Sequence, residues 1–224
     1  MSTSTKSDRT RAALRRAATE CFREFGFQSA TMAQIAQRAG VAEGTVFLHY
    51  ANKLGLLAAV THDFYDELLA DGESAVAAPG LSTADRLRKL IGGWTSRMAS
   101  HWDLIQVFIQ TSQNHPDTEL SKTVIQMNRR YTRLYVGLID KLKIEGELPS
   151  DIPTTLLRDL LFGTLEHTAR GQQYAGKPIS TEAVGRQVLS LLFRSRQAAD
   201  TNVEERLDAI EDKLERVIRH REKR

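Results

Sequence analysis

The side chains best able to do chemistry in this chain fall in one short stretch. Glu43, Thr45, Leu48 and His49 stand close together, and Lys53 follows four positions later. Ala42 and Gly44 sit among them and permit close backbone approach. Recognition of double-stranded DNA needs base-edge readers, phosphate anchors and packing that fixes their angle, and this set can supply the first two. Lys53 follows a candidate helix cap, Asn52, so a phosphate docked on that helix start would meet both the ammonium and the positive end of the helix dipole. Gln37 and Arg38 could add contacts from just upstream. Lys6, Arg9 and Arg11 could clamp the sugar-phosphate backbone or enter the minor groove. For each of these side chains taken singly, a solvated surface position is the alternative.

Two short helices joined by a tight turn would position this set. In TMAQIAQRAGVAEGTVFLHYANK, residues 31–53, Ile35, Ala36 and Ala39 form a spaced apolar face, and Val41 and Val46 resume it one helix later. Thr31 with Gln34 fits a capping box, in which the hydroxyl accepts the N–H of position 34 and the amide reaches back. Gly40 stands where a helix must end with positive φ. The spacing predicts a helix-turn-helix with residues 43–49 as the reading helix. A helical hairpin buried in a core would show the same spacing.

Charge follows the motif. Residues 1–54 hold eight lysines and arginines against four acids, so the chain's net charge of +3 belongs to this segment. With 224 residues and 41% hydrophobic content, the chain can bury a core in one or two domains. No apolar run is long enough to span a bilayer, and MSTSTKSDRT lacks the apolar stretch of a signal peptide. The single Cys21 excludes an intrachain disulfide and suits a reducing cytoplasm, where we expect the protein. It falls on the apolar side of the first helix with Leu14, Ala18, Phe22 and Phe25, which predicts a buried thiol. An enzyme is disfavoured, because phosphate-cradling glycine loops, a nucleophile elbow and paired metal motifs are all missing. No cofactor and no metal site are expected.

The rest of the chain reads as helices near 52–71, 83–99, 102–113, 118–146, 153–173 and 181–198, with DGESAVAAPGLS as a linker after the first of these. The predicted fold is all-α: a helix-turn-helix head at 1–54, a helical effector-binding and dimerisation body at 55–198, and a helical tail at 199–224. One head alone recognises DNA too weakly for a specific site, so a dimer is expected. Its natural surface is a stripe of Leu156, Leu157, Leu160, Leu161 and Leu165 beside Val184, Val188, Leu189, Leu191, Leu192 and Phe193.

Behind a basic first helix, the head carries Phe22, Gly26, Phe27, Thr31, Ile35, Ala36, Ala39, Gly40, Val41, Gly44, Phe47, Tyr50 and Lys53. In these residues it resembles the N-terminal domain of the TetR family of bacterial repressors. The family usually has tyrosine where Phe47 stands and an acid where Gly55 stands. The resemblance implies a dimeric repressor on a near-palindromic operator. A ligand in the body would shift the fourth helix and spread the two heads. Trp94, Trp102, Phe108, Tyr131, Tyr135, Glu166, His167 and Arg170 are the candidates to surround that ligand, with ordinary core packing the alternative for each. VFIQTSQNHPDTEL and FGTLEHTARG look similar to the family's fatty-acid-degradation repressors, which implies an acyl-CoA effector. Arg129, Arg130, Arg133 and Arg170 could meet a negative headgroup or form solvated helix faces. An effector-independent architectural or oligomerising DNA-binding protein is the competing function, and a filled body would favour it.

The tail carries Val203, Leu207, Ile210, Leu214 and Val217 at heptad spacing. Leucine at a with β-branched residues at d favours four strands, which suggests a dimer of dimers. A two-stranded seam and a lone amphipathic helix lying on its own body fit the same spacing.

Overall fold

The computed structural model describes residues 6–193, and every regular element among them is a helix. α1 (Lys6–Ser29), α2 (Met32–Ala39) and α3 (Glu43–His49) make a head. α4 (Lys53–Val76) runs out of it into a body of α5 (Thr83–Asn114), α6 (Glu119–Ile144) and α7 (Thr154–Tyr174). An eighth helix, α8, occupies residues 182–193. The all-α architecture with a small head is as the sequence predicts, whereas the tail and its heptad seam lie outside the described residues. No helix among the described residues is long and apolar enough to cross a membrane.

Local signals set the head. The Thr31 hydroxyl accepts the Gln34 N–H at 3.2 Å while Gln34 Oε1 accepts the Thr31 N–H at 2.8 Å, the reciprocal box that starts α2. Gly40 ends it at φ 70°, left-handed backbone that a β-carbon would strain. Leu14, Cys21 and Phe22 of α1, Ile35 of α2, Val46 of α3 and Leu56 and Leu57 of α4 are wholly buried in one cluster. Burial also pushes the Cys21 thiol up, towards its neutral form. Phe25 departs from the expectation. It is 37% exposed, and its ring lies beneath the Arg38 guanidinium, a partner that tolerates water.

The body differs from the sequence reading in three places. α4 does not end at Asp71 but continues to Val76, through half of the predicted linker. The reason is packing: a β-carbon on Gly72 would lie 2.7 Å from Leu134 and 2.9 Å from Tyr131, so the glycine lets α4 and α6 approach. The two predicted helices at 83–99 and 102–113 are one, bent at His101 (φ −131°, ψ 20°). The leucine stripe of α7 divides. Leu157, Leu161 and Leu165 are buried within the chain, whereas Leu156 and Leu160 are 48% and 47% exposed.

The core is continuous from head to body. α4 supplies Leu56, Leu57 and Val60 at the head end and Phe64, Leu68 and Leu69 at the body end.

Candidate functional site

α3 is held by one buried anchor, Val46, which leaves the rest of its surface outward. Ala42, Glu43, Gly44, Phe47 and Leu48 are exposed, and Thr45 and His49 are half-buried. Leu48 is 81% exposed. A β-carbon on Gly44 would meet nothing within 4 Å, so no intramolecular packing requires that glycine. α1 braces this surface. Arg11 Nε lies 3.5 Å from His49 Nδ1, and Arg15 is ion-paired with Asp63 and donates to the Tyr50 hydroxyl at 3.4 Å. Lys6, Arg9 and Arg11 are exposed along the first turns of α1.

Three of the sequence-selected head residues already have work inside the protein. The Thr31 side chain closes the capping box, so it is committed to α2. Arg38 donates to Glu24 at 2.7 Å and stands 3.9 Å from Glu20. The Lys53 ammonium donates to the carbonyls of Gln28 at 3.0 Å and Ala30 at 2.8 Å and lies 4.7 Å from the centre of the Phe27 ring. Burial holds its pKa below the usual lysine value. An ammonium has three N–H groups, so one donor of Lys53 is still available.

The body encloses a cavity of about 310 Å³ between α4, α5, α6 and α7. Phe64, Tyr65 and Leu68 of α4 form one wall, and Trp94, Met98, Ile105 and Ile109 of α5 another. Tyr131 and Phe162 close it from α6 and α7. The rings interlock edge to face: Phe162 lies 5.1 Å from Trp94 and 4.4 Å from Tyr135, and Tyr131 5.5 Å from Tyr135. Most of the polar groups in its lining are paired within the protein. The Tyr65 hydroxyl donates to Asn128 Oδ1 at 2.6 Å, and burial holds both Tyr65 and Tyr131 in the neutral form. Arg97 reaches back from α5 to Glu67 and Asp71 of α4. Asn128, Thr132 and Arg158 also belong to a shallow, open groove with Arg129 and Arg133, so the cavity and this arginine-lined surface adjoin.

Of the eight sequence-selected ligand residues, the structure brings Trp94, Tyr131 and Glu166 to the cavity. Trp102 packs behind it against Met98 and Ala169, and Phe108 and Tyr135 are buried in the main core. His167 and Arg170 are exposed on α7, Arg170 pairing with Glu166. Phe64, Tyr65, Leu68, Asn128 and Phe162 were missed. Asn128 and Thr132 stand one helical turn from Tyr131 and Arg129, a phase that could have pointed to them. A second cavity, of about 500 Å³, lies between α5 and α8 and reaches Phe193. α4 takes no part in it.

Residues 14–60 match the family model described as bacterial regulatory proteins, tetR family. Residues 80–196 match the tetracyclin repressor-like C-terminal domain. The chain is 23% identical over 176 residues to the fatty acid metabolism regulator protein of Bacillus subtilis, covering 79% of this chain and 90% of that protein. It is 24% identical over 191 residues to the HTH-type transcriptional repressor KstR2 of Rhodococcus jostii, covering 85% and 92%. Among solved structures, the transcriptional regulator FadR from Bacillus subtilis in complex with stearoyl-CoA has the same fold. The TM-score is 0.69 at 23% identity, over 81% of this chain and 97% of that one.

Proposed function

The chain belongs to the TetR family of bacterial regulatory proteins, and from that premise we propose that it is a dimeric repressor released from its operator by an acyl-CoA thioester. One observation carries the reading: α4 is at once a packing partner of the head and a wall of the aromatic cavity. A ligand that displaces Phe64, Tyr65 or Leu68 moves the helix on which α1–α3 are mounted. The open cavity also weighs against an architectural protein without an effector.

In this reading α3 enters the major groove, with Glu43, Thr45, Leu48 and His49 towards base edges and Phe47 against the sugar-phosphate backbone. Ala42 and Gly44 allow the helix to come close. Lys6, Arg9 and Arg11 take phosphates, and Lys53 adds its remaining donor while its other two hold the α1–α2 turn. Thr31 and Arg38 act by fixing α2, the first through its cap and the second through Glu24. The outward leucines, Leu156 and Leu160 of α7 and Leu191 of α8, form the dimer face; leaving them in water would cost burial energy that a partner copy recovers. The likeness to a fatty acid metabolism regulator and to a stearoyl-CoA complex supports an acyl-CoA as the effector. Residues 201–221 would then join two dimers through their heptad seam.

The test begins with selection of operator DNA from random duplexes, followed by binding in increasing salt. The expected result is a near-palindromic site, a steep loss of affinity with salt, and release by acyl-CoA. Thr45→Ala should blur base preference without altering the salt slope, whereas Arg9→Ala should weaken all sequences alike. A protein that binds no duplex under these conditions overturns the reading. Light scattering of a chain truncated after residue 200 tests the tail separately: an unchanged subunit count removes the dimer of dimers.

A further inference from the structure

Resting on the acyl-thioester reading, we propose that this site selects a medium-length acyl chain carried on a phosphate-bearing group, with Arg129 and Arg133 as the phosphate subsite. The limit on length comes from volume. A methylene fills roughly the 30 Å³ that water occupies in the liquid, so a cavity of about 310 Å³ holds roughly ten carbons. A stearoyl chain, nearly twice as long, overfills it. The wall is not soft where the chain would have to push. Phe162 is held edge to face between Trp94 and Tyr135, so displacing it breaks two ring contacts.

The choice of head comes from charge. Inside the cavity each cation is already answered: Arg97 by Glu67 and Asp71, and Arg158 by Asp159 at 2.7 Å. A free fatty carboxylate would therefore find no unpaired cation there, whereas a neutral thioester needs none. Asn128 stands at the junction of cavity and groove, and its amide nitrogen can donate to the thioester carbonyl while Tyr65 holds its oxygen. Outside the junction the balance reverses. Arg129 and Arg133 lie four apart on one face of α6, an arrangement that is unfavourable between like charges, and neither has a carboxylate partner among the described residues. Arg158 approaches them from α7. Arg158 is held by Asp159 and only borders them, so two guanidiniums without a carboxylate face the open groove and suit a phosphate-bearing group.

Titration of the full chain with octanoyl-, decanoyl-, dodecanoyl- and stearoyl-CoA, followed by calorimetry, tests the length limit. Affinity should rise about fourfold per added methylene while the chain is being buried, then flatten beyond roughly ten carbons. A rise that continues to stearoyl-CoA overturns the limit and leaves the thioester reading intact. No binding at any length removes the thioester reading itself. Phe162→Ala should move the break to longer chains, and Phe162→Leu gives a milder version should the first fail to fold.

The subsite is tested with decanoyl-CoA, decanoyl-pantetheine and decanoate. Arg129→Gln with Arg133→Gln should weaken decanoyl-CoA by roughly tenfold or more and leave decanoyl-pantetheine, which lacks phosphate, unchanged. Equal losses for both ligands, or no loss for either, overturn the phosphate subsite. Decanoate binding as tightly as decanoyl-CoA to the unaltered chain does so as well.

Discussion

In the head, Thr31, Arg38 and Lys53 are bonded to groups of their own domain, while in the body Arg129 and Arg133 line an open groove beside the cavity with no carboxylate partner among the described residues. The head is therefore a finished surface whose shape is set before anything binds. The body keeps a space and a charge for something that arrives. A repressor needs both, because a reading helix must be rigid to discriminate bases and an effector site must have two arrangements to report occupancy. α4 belongs to both regions and turns that difference into a mechanism.

The largest expected contrast is in packing. Phe22 is fully buried in the head, so Phe22→Ala should cost about 3–5 kcal/mol in urea denaturation. Phe162 is only half-buried at the cavity edge, and its truncation should cost roughly half as much. Equal losses would mean that the body is packed as fully as the head, and the contrast fails.

Two glycines sharpen the comparison. Gly72→Ala forces a β-carbon against Leu134 and Tyr131, which should destabilise the body by about 1–3 kcal/mol. Gly44→Ala meets nothing, and in a helix it should raise stability by up to about 1 kcal/mol. Its effect belongs to DNA instead: the added methyl should weaken operator binding. If Gly44→Ala leaves operator affinity unchanged, α3 does not approach the bases closely at that point.

The same contrast governs what could be read from the sequence. Thr31, Gln34, Gly40 and Val46 act within a few residues of one another, so the head's caps, turn and buried anchor are visible in the order of residues alone. Gly72 resembles a linker residue until Tyr131 and Leu134 of α6 are placed against it. The α7 leucines share one helical spacing, and only the position of the neighbouring helices decides that Leu157 faces inward and Leu156 outward. The aromatics of the body raise the same difficulty. Trp94 lines the cavity whereas Trp102 packs behind it against Met98 and Ala169, and residue type does not tell the two tryptophans apart.

Arg97 offers a smaller effect on stability and a larger one on coupling. Its carboxylate partners, Glu67 and Asp71, are 69% and 60% exposed, so Arg97→Met should cost less than about 1 kcal/mol in solvent-screened ion pairing. Yet the pair joins the cavity wall to α4. The variant should still bind decanoyl-CoA, while the ratio of operator affinities without and with the effector shrinks several-fold. A ratio that holds steady would place the transmission elsewhere on α4.

The smallest expected effect concerns the seam between the two regions. Arg23 of α1 donates to the carbonyl of Ser100 at 3.2 Å, beside His101, whose ring lies 5.7 Å from Phe64 and 3.3 Å from the Arg97 carbonyl through Nδ1. Burial lowers the His101 pKa, and the cations of Arg23 and Arg97 lower it further; the Arg97 carbonyl and Glu67 oppose them without reversing the direction. A histidine with a depressed folded-state pKa binds its proton more readily when unfolded. Its contribution is therefore complete above the unfolded value of 6.5 and is lost as pH falls from there through the lower folded value. Replacing the ring with a neutral amide, His101→Gln, should flatten that part of the stability profile while leaving the plateau above it close to parallel. Proton uptake at the seam should also loosen α1 from α5, because an imidazolium would sit between two arginines. Lower hydrogen-exchange protection at the end of α1 on acidification, measured against the intrinsic rate at each pH and absent in His101→Gln, is the expected signature; identical protection in the two proteins would show that this seam does not respond to the histidine's charge.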